Sequence, residues 1–588
     1  MNTVNSNQNG FAGYEYFGVQ PVSDKVGQSV CFRVCAPEAQ KVFLVGDFCS
    51  WQDGIEMSRA ENGVWYCEIS HGAISEGNKY KYKIILHDGT EQLIADPYAV
   101  CSEESGGFAS VICNIDSYVW HDATWLDYRK AFKKDFYARP MSIYRLAADS
   151  WKTENACALS YKRLADELAP YVKQLGHTHV QLLPVFSRAG LGESGYDTAS
   201  HFAPHLNCGA HPCELMSFVD AMHEAGIGVI FEIPLGEVVN QISDLGGQAS
   251  YERDVCAFWL DKYHADGLCL SGIMKMLEGN AEQAEGFLSA IVRELRCQFP
   301  SALIIGTGNP DIVSDGLGFD MLCNTAFDKD IAEYLGTDPF FRKHHHEKAT
   351  VWSANFASRR SVLPIGFDEA GKEGAALMPR VYGDSWQRFA TLRATLGYLI
   401  TAPGKKLCYM GTEIGQMDEY REGKGLQWSL LDRDASARLQ YYAAELGQLY
   451  LATPELWQCD GDFDGFEWID VNNREQSIVS FCRRDIDGNE IIVAVNFTPV
   501  VYEDFRIGVK SKGEYKEIFN SDDERFGGSG VLNTGLIRSE DRDWNWQDNS
   551  IVIRIPPMAI TVLKCVRRTS SRPQKQVGSI RSKIIKLK

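Results

Sequence analysis

Short apolar runs interleaved with polar positions open the chain. Val30–Val34, Lys41–Val45, Gly63–Ile69 and Lys79–Ile85 read as strands separated by turn residues, a spacing that predicts a β-sandwich of about a hundred residues. From Met141 the period changes. Helical LADELAPYVKQLG leads into apolar HVQLLPV, FVDAMHEAG into IGVIFEI, FLSAIVRELRCQFP into ALIIG, and WQRFATLRATLGYLITAPG into KKLCYMG. Helix then buried strand, repeated over some three hundred residues, predicts a parallel sheet with covering helices, and the length suits a (β/α)8 TIM barrel. Past Cys459 strands return as GFEWIDV, SIVSFCRR, EIIVAVNF, YKEIF and SIVIRIP, which predict a C-terminal all-β domain. The expected organisation is a polar, disordered N-terminus at 1–12, an N-terminal β-sandwich at 13–118, a central barrel at 119–458, the β-domain at 459–566 and a basic tail at 567–588.

Charge narrows the functional classes. Lys and Arg total 59 against 78 Asp and Glu, a net charge of −19, which argues against nucleic acid as a partner of the body. Arg567, Arg568, Arg572, Lys575, Arg581, Lys583, Lys586 and Lys588 make the tail +8 and leave −27 on the rest. The tail reads as a solvated, disordered segment, with docking to an acidic partner, anionic lipid or nucleic acid as the alternative. Seventeen cysteines cannot all pair, no CxxC occurs, and the start carries no secretory pattern, so reduced thiols in a cytoplasmic protein are expected. No apolar run reaches the ~20 residues of a membrane span. Neither cofactor nor metal is expected, and the run His344, His345 and His346 reads as surface or packing histidines.

The blocks SIYRLAADSW, GYDTASHFAP, FVDAMHEAGIGVI, YHADGL, GDSWQRFATLRATLGYLITAPGKKLCYMGTEIGQ and LQWSLLD together resemble the 1,4-α-glucan branching enzymes of the α-amylase superfamily (glycoside hydrolase family 13). FRVCAPEAQKVFLVGDFCSWQDG resembles a family 48 carbohydrate-binding module, which implies glucan contacts at Trp51 and Lys81. A planar indole stacks on a glucose ring and an ammonium donates to its hydroxyls, although such a Trp also serves at domain interfaces. Trp65 reads as a core or interface residue.

The resemblance implies a retaining glucanotransferase, which needs a carboxylate nucleophile and a carboxylic acid/base about 5–5.5 Å apart at strand C-termini. The family's YHIDGLRVDAV reads YHADGLCLSGI here, so Ser271 stands at the nucleophile and Cys269 at the orienting Arg. ALTIAEEST reads ALIIGTGNP, with Thr307 at the acid/base. ILDWVPGHF reads IFEIPLGEV, with Glu232 and Glu237 for Asp and His. LSHDEVVHGKKSLL, aligned backward from SVL, gives TVWSANFASRRSVL and places Trp352 and Ser353 at the His and the transition-state Asp. A Ser with no adjacent base is a weak nucleophile, and a Thr hydroxyl is no general acid at neutral pH. The expectation is therefore a pseudoenzyme with no catalytic residue, binding glycogen- or starch-type α-glucan or scaffolding an active glycogen enzyme. The alternative is an active branching enzyme with a rearranged site, using Glu232 and Glu237 as its acid pair. Asp266, which survives in HADGL, is expected to stabilise a strand end.

Overall fold

The computed structural model describes residues 12–23, 28–70, 72–103, 107–155, 157–188, 198–207, 211–236, 248–355, 360–366 and 376–568. The first strands alternate inside and outside, with Tyr80, Tyr82 and Ile84 buried between half-exposed Lys79, Lys81 and Lys83. Two sheets result. One orders Gly18–Ser23, Gln28–Cys35, Val64–Ser70 and Ser58–Arg59; the other orders Ile55–Glu56, Ala39–Gly46, Lys79–Leu86 and Glu91–Ile94. Phe32, Val34, Leu44, Trp65 and Tyr82 fill the space between them. Trp65 is a core residue whose indole N–H donates to Ala36 O at 3.0 Å.

Eight parallel strands then close a barrel. They are β1 (Ser142–Leu146), β2 (His179–Leu182), β3 (Gly228–Pro234), β4 (Gly267–Ser271), β5 (Leu303–Gly308), β6 (Met321–Asn324), β7 (Ser361–Ile365) and β8 (Lys405–Tyr409), with β8 pairing back onto β1. Ile143, Ile230, Cys269, Ile305, Met321, Val362 and Leu407 point inward as an apolar layer, while Leu268 and Leu270 of β4 face the helices. Phe132, Phe136 and Tyr137, from helix Ala123–Asp135 and the turn after it, close the layer from below.

Asp266, immediately before β4, does hold that strand end. It accepts from Trp125 Nε1 at 2.8 Å, Val229 N–H at 2.7 Å and His223 Nε2 at 3.0 Å. His223 Nδ1 lies 2.9 Å from Asp122, so the imidazole bridges two buried carboxylates. Burial works against its charge, but the field of Asp266 and bonds to both acids outweigh it and raise His223 to about 9.

The C-terminal domain is a six-stranded sheet faced by the pair Tyr502–Val509 and Asn549–Ile555. Its last strand, Ala559–Arg568, carries Arg567 and Arg568 opposite Glu514 and Gly513, so these two belong to the sheet and not to the tail; residues 569–588 lie outside the described residues. Of His344–His346, the first two are exposed and His346 is buried with Nε2 3.0 Å from Val471 O, a packing role. Cys157 is disulfide-bonded, which corrects the expectation of reduced thiols at that residue: an odd total excludes complete pairing but not a single bridge. No helix among the described residues is long and apolar enough to cross a membrane.

Candidate glucan site and the barrel mouth

Side chains alternate along a strand, so the residues two beyond the apolar layer form the next layer toward the C-terminal mouth. Arg145 follows Ile143, Glu232 follows Ile230, Ser271 follows Cys269 and Thr307 follows Ile305. The register sets Glu232 opposite Cys269 and Pro234 opposite Ser271. Three of the sequence-derived positions, Glu232, Cys269 and Thr307, thus converge with two residues that sequence reading missed, Arg145 and Gln181.

The convergence is an ion pair. Arg145 Nε and Nη2 donate to Glu232 Oε2 at 3.0 and 2.7 Å, and Gln181 Nε2 adds a third bond to the same oxygen at 3.1 Å. Both side chains are nearly inaccessible to solvent. The guanidinium also lies 5.7 Å from the Tyr409 ring centre. Glu232 Oε2 is thereby held as the shared acceptor of the Arg145 and Gln181 donors.

Beside it, Cys269 Sγ and Thr307 Oγ1 are 3.2 Å apart. Burial, reinforced by the charge of Glu232, pushes the Cys269 thiol up to about 12, so it stays protonated and unreactive at neutral pH. Ser271 ends β4 with a buried Oγ that has no hydrogen-bond partner among the described residues. Glu237 lies outside the described residues.

Trp352 and Ser353 are not at the mouth, which corrects their assignment. They sit in the 3-10 turn Val351–Asn355, upstream of β7. The Trp352 indole donates to Tyr398 OH at 2.9 Å and packs among Phe327, Phe466 and Trp468, and Ser353 Oγ accepts from Trp468 Nε1 at 2.9 Å. Both belong to the seam with the C-terminal domain. The SVL that anchored the alignment is the start of β7 itself, whereas catalytic motifs follow strand ends. Beyond β7 the sequence reads Gly366-Phe367-Asp368-Glu369. Residues 367–375 lie outside the described residues.

In the sandwich, Trp51 is 40% exposed, at φ 60°, with its indole N–H donating to Asp47 Oδ1 at 2.9 Å. The second oxygen of Asp47 accepts from Lys79 N–H at 2.8 Å, which ties the Trp51 turn to the strand that bears Lys81. Trp51 N–H bonds Gly46 O, and Gly46 and Val45 pair with Tyr80 and Lys81, so Trp51 and Lys81 occupy one end of one sheet. The exposed indole favours the ligand-contact alternative over the interface one.

A β-sandwich module, an eight-stranded parallel barrel and a C-terminal β-domain together define the amylase-type architecture. The model for carbohydrate-binding module 48 (isoamylase N-terminal domain) matches residues 16–99, and that for the alpha amylase C-terminal all-beta domain matches 468–566. The pullulanase from Anoxybacillus sp. LM18-11, solved with maltotetraose, superposes with a TM-score of 0.69 at 15% identity, covering 94% of this chain and 88% of that one. The chain is 34% identical to the 1,4-alpha-glucan branching enzyme GlgB of Desulfitobacterium hafniense (strain Y51), covering 94% of this chain and 95% of that protein. The GlgB of Halothermothrix orenii is likewise 34% identical, over 94% and 96%. The chain belongs to the 1,4-α-glucan branching enzyme family.

Proposed function

We propose that this chain is a non-catalytic branching-enzyme homologue that binds glycogen- or starch-type α-glucan. The observation that carries the proposal is the Cys269–Thr307 contact at the mouth, flanked by the Arg145–Glu232 pair. A retaining mechanism needs a nucleophilic carboxylate where Ser271 stands and a carboxylic acid where Thr307 stands. Loss of members of such a unit lowers turnover by on the order of 10⁴–10⁶. Trp51 and Lys81 supply the binding: the indole offers a stacking face and the ammonium a donor to hydroxyls. Scaffolding of an active glycogen enzyme fits the same reading, and the basic residues beyond Arg568, Arg572 to Lys588, offer a segment to an acidic partner.

Affinity electrophoresis in glycogen tests the binding. Wild type is expected to be retarded, and Trp51→Ala and Lys81→Ala to run closer to the position seen without glycogen. A wild-type band unmoved by glycogen would sink the proposal. The second reading, an active branching enzyme, draws on Asp368 beyond β7 and on the names of the relatives.

A further inference from the structure

The C-terminal domain presents a second aromatic feature, the hairpin turn Trp544-Asn545-Trp546-Gln547. Trp544 and Gln547 exchange backbone bonds of 3.0 and 2.9 Å, and the two central residues have φ values of 47° and 62°. This is the left-handed two-residue turn in which Asn suits the first position and Gly the second. Trp546 occupies the glycine position, where a bulky side chain is strained. It gains no burial in return, with a relative exposure of 102%. Neither backbone preference nor packing accounts for an indole there, and strain held at an exposed residue points to function.

The turn is seated rigidly. Asn545 Oδ1 accepts from Gly508 N–H at 3.0 Å and its Nδ2 donates to Asp470 Oδ2 at 3.4 Å. A Cβ at Gly508 would stand 2.1 Å from Trp544 O, so only glycine lets the turn approach strand Tyr502–Val509 this closely. Beside the turn lies a cavity of about 590 Å³ whose lining includes Asp470, Asn473, Asp504, Arg506, Arg542 and Trp544. Arg542 lies 5.9 Å from the Trp544 ring centre, and Arg506 is held by Glu540 and Ser550. Two carboxylates and two guanidiniums leave the lining formally neutral, which suits an uncharged polyol better than phosphate or a cation. Carboxylate, amide and guanidinium groups beside exposed aromatic faces match the vicinal hydroxyls and apolar ring face of a hexose.

We propose that the Trp544–Trp546 turn and the adjoining cavity form a second saccharide-binding site, on which a neutral glucan stacks. The identity of the sugar rests on the α-glucan reading above; the location of the site does not. Trp546→Gly supplies the turn's preferred residue, so it separates the two roles of this position. The expected result is a raised melting temperature together with glycogen binding weakened about tenfold in affinity electrophoresis, the loss of one stacked ring. Trp546→Ala is expected to weaken binding alike, and Trp51→Ala/Trp546→Gly to weaken it beyond either single change. Retardation of Trp546→Gly equal to wild type, with Trp51→Ala impaired, would overturn this site and leave the α-glucan reading standing. A wild-type protein that glycogen does not retard would overturn that reading, and retardation by no other neutral polysaccharide, xylan and cellulose oligomers included, would then overturn the site as well.

Discussion

Arg145 donates two hydrogen bonds to one oxygen of Glu232, from β1 to β3 across the inside of the barrel mouth. The pair puts a buried cation inside the barrel and gives the carboxylate a fixed partner. An isolated charge in this layer is costly, so the two residues stand or fall together. Arg145→Met is expected to lower unfolding stability by about 3–5 kcal/mol, because it removes the only guanidinium shown bonded to the buried Glu232 carboxylate among the described residues. Arg145→Met/Glu232→Leu is expected to recover most of that loss. Urea denaturation of the double-mutant cycle measures the coupling, and additive single effects would contradict it.

Restoring carboxylates alone is not expected to restore turnover. Ser271→Asp/Thr307→Glu returns the charges, yet Cys269 still stands where the family orients its nucleophile with Arg, and the Arg145–Glu232 pair stays in place. The double variant is expected to remain at least about 10³-fold below an active relative in branching rate, since members of a catalytic unit act together.

Cys269 is expected to resist alkylation in the folded protein. Its thiol is buried and titrates at about 12, whereas Cys297 is exposed. Iodoacetamide at pH 8 followed by peptide mass spectrometry should label Cys297 and leave Cys269 unmodified until denaturant is added. Rapid native labelling of Cys269 would mean an open mouth.

The floor of the barrel gives a pH dependence. His223 rises from an ordinary value of 6.5 to about 9 between Asp122 and Asp266. A folded value above the unfolded one contributes stability in full below about pH 6.5 and loses it as pH rises through about 9. Thermal unfolding should therefore show stability falling across that window, and His223→Gln should flatten the slope while lowering stability at pH 6.

Much of this was readable before the fold was known. The alternating run KYKYKIIL and the paired runs of helix and apolar strand carry their geometry in their period, so sandwich and barrel follow from them. The places of Cys269 and Ser271 on β4 and of Thr307 on β5 were legible because ungapped scaffold residues, from Tyr263 to Leu268 and from Ala302 to Ile305, flank them on the sequence side. Arg145 and Gln181 were not, since a single polar residue inside SIYRL or HVQLL gains meaning only from a neighbour on another strand. Trp352 and Ser353 were misplaced because the three residues SVL resemble a motif's end but begin a strand, and sequence spacing alone does not mark where β7 stops. The Trp546 turn went unread because DWNWQ shows its positive φ angles only in three dimensions.

The most direct measurement is linkage analysis of amylose incubated with highly purified protein, by proton NMR of the anomeric region alongside iodine absorbance. The mouth built from Cys269, Thr307 and the Arg145–Glu232 pair leads us to expect no growth of the α-1,6 signal and no fall in absorbance. New α-1,6 linkages accumulating in proportion to protein would contradict it.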